Sequence, residues 1–144
     1  MYRRILVPLE NSRTDDAIVA HVTALARHCG ASLVLIHVAG GFVARNLEQL
    51  NLRESEEIKK DRAYLDGVVQ RITSEGFHAD AVIASGEPAM EICAAAEREH
   101  CDLIAMGTHG HGLVKDILYG SVANEVRHRS MVPVLLVRDP HGAA

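Results

Sequence analysis

The segment Gly107-Thr108-His109-Gly110-His111-Gly112 places three glycines in six residues, and Gly120-Ser121 follows after Leu113 to Tyr119. Glycine reaches positive φ and lets backbone lie against a ligand with no Cβ in the way. Gly120 and Ser121 read as the opening of the last helix, where unpaired N–H groups and the positive end of the helix dipole favour phosphate. The chemistry this suggests is an anion cradle made of backbone amides, with the Ser121 hydroxyl as one more donor. The same residues also fit a tight strand-to-helix turn with a plain Ser cap, and spacing alone leaves both open. Two better-known phosphate loops are excluded. There is no G-x-x-x-x-G-K-[ST], and Val7-Pro8-Leu9-Glu10-Asn11-Ser12 stands where a dinucleotide fold carries G-x-G-x-x-G.

Other reactive side chains give less. His109-x-His111 offers two imidazoles to a metal, but no third ligand sits at a recognisable spacing, so both read as loop positions touching phosphate or solvent. Lys115 reads either as a mobile charge for a phosphate or as a solvated helix-face lysine. His37, inside an apolar run, reads as a hydrogen-bonded core or edge residue rather than a base. Cys29, Cys93 and Cys101 are odd in number with no Cys-x-x-Cys, which argues against a disulfide framework or thiolate zinc. Cys93 and Cys101 read as small buried apolar groups. No Ser, His and acidic residue share a placeable motif, so catalysis has no owner.

The elements that must position the glycine-rich segment follow from periodicity. Arg3 to Leu9 is a strand-length apolar run, and Ser12 with Asp15 forms an S-x-x-D capping box before a helix whose apolar positions are Ile18, Val22, Leu25 and Cys29, closed by Gly30. Ser32 to Val38 is a second strand, ended by Gly40-Gly41. A polar stretch from Arg45 to Asp61 leads into a helix with the face Leu65, Val68, Val69 and Ile72, closed by Gly76, while the mixed charges from Glu54 to Arg62 read as solvated surface. Ala79 to Ser85 is a third strand, Pro88 starts a helix over Ala89 to His100, Asp102 to Met106 is a fourth strand, Ser121 to Arg129 a short helix, and Val132 to Val137 a fifth strand. Strict alternation predicts an α/β, doubly wound parallel sheet with helices on both faces, and ligands in such sheets bind beyond the carboxyl ends of the strands.

With 144 residues, 48% of them hydrophobic and 24% charged, the chain reads as one domain, 1–144, with neither repeat nor linker. A net charge of -4 excludes a broad basic footprint, so no nucleic acid or anionic membrane is expected as a partner. No apolar run approaches the roughly 20 residues of a membrane span, and Met1-Tyr2-Arg3-Arg4-Ile5 has no signal-peptide core behind it. The expected compartment is the cytoplasm.

Gly107-x-x-Gly110, nine residues, then Gly120-Ser121 resembles the G-2x-G-9x-G-(S/T) signature of the nucleotide-binding branch of the universal stress protein family. The resemblance covers nearly the whole chain. Arg4 to Ser12 resembles the family's first strand and loop, Gly86 to Ile92 its third-helix start, Asp102 to Gly107 its fourth strand and Val132 to Val137 its closing strand. It implies a single five-stranded parallel sheet, Rossmann-like, of order 3-2-1-4-5. It implies that Gly107, Gly110, Gly120 and Ser121 wrap the phosphates and ribose of ATP, or of AMP or ADP, with Met106 and Val122 flanking them. Pro8, Leu9 and Glu10 would line the adenine and ribose side and Val38 would pack on the base. The usual aspartate after the first strand is Glu10 here, which keeps the carboxylate and adds a methylene; taken alone, Glu10 also fits a solvated loop carboxylate. Mg²⁺ or Mn²⁺ would be held mainly by phosphate oxygens and water.

A fifth strand at a sheet edge would expose an apolar ladder, and pairing 132–137 with the same strand of a second copy removes that hazard. The resemblance implies the same homodimer. Three functions follow from these readings. The first is a homodimeric ATP-binding, nucleotide-sensing module of the stress response. The second is a weak ATPase or nucleotide-dependent phosphotransferase assisted by Glu10, His109 or Lys115, slow because neither a Walker lysine nor an arginine finger is placed. The third is an interaction protein that binds no nucleotide.

Overall fold

The computed structural model describes residues 1–40, 47–108 and 114–139. Strands and helices alternate without exception. They are β1 (Arg4–Pro8), α1 (Asp15–Cys29), β2 (Ser32–Gly40), α2 (Leu47–Ser74), β3 (Ala79–Gly86), α3 (Pro88–Arg98), β4 (Leu103–Thr108), α4 (Val114–Arg129) and β5 (Val134–Arg138). The five strands form one sheet of order β3-β2-β1-β4-β5, and every pair is parallel, as the sequence predicts.

Parallel strands covered on both faces must be apolar on both faces, and the registers explain which residues go where. Ile5, Val7, Leu33, Leu35, Leu103 and Ala105 point to one side and pack with Ile18 and Val22 of α1 and Leu65 and Ile72 of α2. Leu6, Val34, Ile36, Ile104 and Met106 point to the other and pack with Ile92 and Ala95 of α3 and Ala123 and Val126 of α4. α1 and α2 contribute the faces their periodicity predicts. At the amino end of the sheet the Asp102 carboxylate accepts from the amides of Arg3 at 2.9 Å and Arg4 at 3.1 Å. The Arg4 guanidinium then reaches the carboxylates of Asp80 and Glu99, both at 3.2 Å. Together these contacts clamp the start of β1 against β3 and α3.

Caps and ends refine the sequence reading. Gly30 closes α1 in the left-handed region at φ 70, and Glu87 caps α3 by accepting from the Met90 amide, with Pro88 in the first helical position. The Ser12 capping box does not form. Asp15 is the first residue of α1, and Thr14 stands at the cap with no side-chain hydrogen bond to the helix. The reason is that Asp15 turns its carboxylate back into the preceding loop, described below. The last helix begins at Val114, not Ser121, and β5 runs over Val134–Arg138 rather than Val132 to Val137. The polar stretch read as leading into the second helix is largely part of it: α2 is helical from Leu47, and 41–46 lie outside the described residues.

Among the described residues no helix is long and apolar enough to cross a membrane. The cysteines are unpaired: Cys101 is buried, and Cys29 and Cys93 are partly covered. Burial is the main reason the Cys101 thiol is pushed from 9.0 up to about 11, against the opposing pull of Arg4. The native state therefore holds that proton more tightly than the unfolded chain, so the stability it contributes is intact below pH 9 and declines as pH rises toward 11. The urea midpoint should fall across that interval, and fall less in Cys101→Ala. At neutral pH a thiol reagent should leave Cys101 unmodified until urea unfolds the chain.

Candidate functional site

β1 pairs with β2 on one side and β4 on the other, so the chain winds away from it in opposite directions. Connections leaving adjacent strands toward opposite sides open a crevice at the carboxyl ends. A cavity of about 390 Å³ lies there, within the range of small-ligand sites. Its floor is Pro8 and Leu9 from the end of β1, Ile36, His37 and Val38 from β2, and Met106 and Gly107 from β4. Thr14, Asp15 and Ile18 of α1, Pro88 and Ile92 of α3, and Ser121 and Val122 of α4 form its walls, and Glu10 stands at its rim.

Of the ten residues singled out from the sequence, the structure therefore brings eight together around this cavity: Pro8, Leu9, Glu10, Val38, Met106, Gly107, Ser121 and Val122. Gly120 is exposed and adjacent to the wall but is not part of it. Gly110 lies outside the described residues, as do His109 and His111, and nothing is described of the Lys115 side chain. One expectation is corrected. Gly120 and Ser121 do not open a helix, because α4 already runs from Val114. Amides that deep in an α-helix point at carbonyls one turn back and are not free for an anion. A Cβ on Gly120 would meet no atom of the described residues beyond its own helix and chain neighbours within 4 Å.

The loop between β1 and α1 is held from within. The Asp15 side chain, only 3% exposed, accepts from the amides of Glu10 at 3.0 Å, Asn11 at 2.9 Å and Ser12 at 3.3 Å. The Tyr64 hydroxyl of α2 donates to the same carboxylate at 2.7 Å. Burial first, and that hydrogen bond second, push the Tyr64 phenol above its ordinary value. Asn11 adopts φ 63, a left-handed turn that an asparagine tolerates better than most side chains and that aims successive amides at one point. The anion held by this backbone nest is the protein's own carboxylate.

His37 behaves as its apolar setting predicts. Its Nδ1 lies 2.8 Å from the Leu9 carbonyl and its Nε2 3.1 Å from Asp61 Oδ2. Asp61 also accepts from the Asn11 side-chain amide at 3.2 Å. It was expected on a solvated face, and its side chain is instead only 16% exposed. Sequence reasoning missed Asp15 and Asp61 as parts of the site. Asp15 had a signal, since a carboxylate three residues after a loop serine can bond that loop's amides as readily as cap a helix. Asp61 had none, since nothing in its local pattern distinguishes it from its charged neighbours. Among the described residues no cluster of three or more His, Cys, Asp or Glu is arranged to hold a metal.

A doubly wound parallel sheet with an apolar cavity at its switch point, rimmed by a carboxylate and flanked by the last helix, defines an α/β protein of the Rossmann-like class. The chain belongs to the universal stress protein family, whose sequence profile matches residues 1–138. It is 28% identical to the universal stress protein MJ0577 of Methanocaldococcus jannaschii, over 96% of each chain. A universal stress protein of Thermus aquaticus is 31% identical over 96% of this chain and all of its own. The solved structure of MJ0577 superposes with a TM-score of 0.84 at 30% identity, covering 98% of this chain and 99% of that one. A universal stress protein of Archaeoglobus fulgidus, solved in complex with dAMP, superposes with a TM-score of 0.70 at 22% identity over 94% of this chain and 98% of its own. A further solved structure, of a universal stress protein in complex with cAMP, gives a TM-score of 0.73 at 21% identity over 94% of this chain and 97% of its own.

The Asp15 contacts predict a sharp stability effect. Asp15→Ala strips the acceptor from three amides and a hydroxyl, and should lower the unfolding free energy in urea by roughly 2–3 kcal/mol. Asp15→Asn keeps one acceptor oxygen and should lose about half of that.

Proposed function

We propose that this chain is a cytoplasmic, homodimeric nucleotide-sensing module of the stress response, one domain over 1–144, that binds ATP, or AMP or ADP, in the cavity between β1, β2, β4 and α4. The observation that carries the reading is the convergence of Pro8, Leu9, Glu10, Val38, Met106, Gly107, Ser121 and Val122 on one cavity at the switch point of the sheet. The adenine nucleotides in complex with two structural neighbours support the ligand class. Leu9, Ile36, Val38, Ile92 and Met106 offer apolar walls to a planar base, the Glu10 carboxylate accepts from a ribose hydroxyl, and Gly107 and Ser121 face the phosphate side. Mg²⁺ or Mn²⁺ would be carried in on the phosphates.

In this reading, the turns of α4 ahead of Gly120 open when the triphosphate binds, freeing the Gly120 and Ser121 amides. Gly120 supports it. A glycine inside a helix costs about 1 kcal/mol relative to alanine, and no packing among the described residues requires one here. Gly120→Ala should therefore raise stability in urea by about 0.5–1 kcal/mol and weaken ATP binding by roughly tenfold in titration calorimetry. Stabilisation with unchanged affinity would remove Gly120 from the site. No heat with the parent protein at millimolar ATP would favour an interaction protein that binds no nucleotide.

The homodimer reading rests on β5, which pairs only with β4 and leaves Leu136 43% exposed on an outer strand. Pairing the strand over 132–137 with its copy about a two-fold axis would cover it. Light scattering at micromolar concentration should give a dimer for the parent chain and a monomer for Leu136→Asp.

A further inference from the structure

The contacts around His37 join three separate elements. On one side the ring meets the Leu9 carbonyl, and on the other the Asp61 carboxylate of α2. Asp61 reaches onward to the Asn11 side chain, and one helical turn later Tyr64 holds Asp15, which holds the amides of residues 10–12. α2 thus grips the rim of the cavity with two side chains, and His37 is the link through the cavity floor.

The acceptors decide the state of the ring. A carbonyl oxygen can only accept, so Nδ1 must carry a proton to bond Leu9, and an ionised carboxylate can only accept, so Nε2 must carry one to bond Asp61. Only the imidazolium satisfies both at once. The neutral ring leaves a lone pair facing an oxygen at 3.1 Å. Among the described residues that line the cavity, Glu10 from the loop and Asp15 from α1 are acidic, while those from α3 (Pro88, Ile92), β4 (Met106, Gly107) and α4 (Ser121, Val122) are uncharged.

We propose that His37 and Asp61 form a protonation-dependent latch, with His37 as a positioning residue that locks α2 onto the 9–12 rim and so makes ligand affinity fall as pH rises. This rests on the reading that the cavity takes an adenine nucleotide. Loss of the ring proton breaks the Asp61 contact, loosens Asn11 and Glu10, and lowers affinity for whatever the Glu10 rim orients. Deprotonation of the ring, not of a ligand phosphate, is the event, so the probe is cAMP, whose phosphodiester keeps one charge across the range.

Titration calorimetry with cAMP at about pH 5.5 and about pH 8 should give a Kd about fivefold weaker at the higher pH, the loss expected for one partly screened charge-assisted hydrogen bond. Asp61→Asn is the diagnostic variant. Its amide carbonyl still accepts from Asn11 and its NH₂ donates to a neutral Nε2, so it rebuilds the latch on the uncharged ring. It should bind with nearly the same Kd at both pH values. An equal pH dependence in the parent and Asp61→Asn, or none in the parent, overturns the latch and leaves the nucleotide reading intact. Absence of cAMP binding at either pH counts against that reading instead, and the latch is then decided without ligand. Ring ¹⁵N resonances of His37 should show both nitrogens protonated at about pH 5.5, and amide exchange of residues 10–12 should speed up as the ring deprotonates. A ring already neutral at the lower pH, or exchange that ignores its titration, sinks the proposal.

Discussion

Everything in this structure hangs on β1 having neighbours on both sides and helices on both faces. A strand so placed has no solvated surface, so Ile5, Leu6 and Val7 are wholly buried, and every polar task passes to the residues beyond its ends. At the amino end that task is mechanical, and Asp102 and Arg4 perform it. At the carboxyl end the two connections part, and the space between them is the cavity. Core and site are therefore consequences of one topological fact.

The rim of that cavity is organised by an internal anion. A helix start that follows a strand offers free amides, and such a place commonly attracts a ligand phosphate. Here Asp15 occupies it, satisfying three loop amides with a carboxylate that, among the described residues, is held by hydrogen-bond donors rather than by a cation. In the proposed reading a phosphate would thus be turned away from the β1–α1 loop, where it would meet Asp15 and Glu10, and toward Gly107 and α4. The position of Glu10 beside this nest suits it to accept hydrogen bonds rather than to approach phosphate, since two neighbouring carboxylates repel a polyanion.

How far the sequence could be read differs between these layers for physical reasons. Strand positions and helix faces were legible because burial on two sides imposes an unbroken apolar run and a 3.6-residue stripe, and both survive in the one-dimensional pattern. Gly30 and Pro88 were legible because their backbone requirements are local. Asp15 was seen but given the wrong partner, since the same carboxylate can cap forward or bond backward and only the loop's path decides. Asp61 was invisible: its partners Asn11 and His37 are far away in sequence, and among exposed charges a single half-covered one leaves no trace. The start of α4 was misplaced because Ser121 fits a cap as well as a helix interior, so residue type could not choose between them.

The two sides of the cavity consequently contribute to binding in different ways. The 9–12 rim is tied by side chains from α1, β2 and α2 before any ligand arrives, so little ordering remains to be done there and its specificity is set in advance. α4 is the reverse. Its amides near Gly120 are engaged within a helix that a glycine in its interior weakens, with no compensating packing among the described residues. A ligand that draws those amides away must offset the lost helical bonds, and a helix already weakened at that point keeps the cost small. In the nucleotide reading proposed above, preorganisation on the base and ribose side together with low local stability on the phosphate side would let one cavity recognise a nucleoside firmly while its response to the phosphates would be a change in the last helix, which leads directly into the outer strand β5.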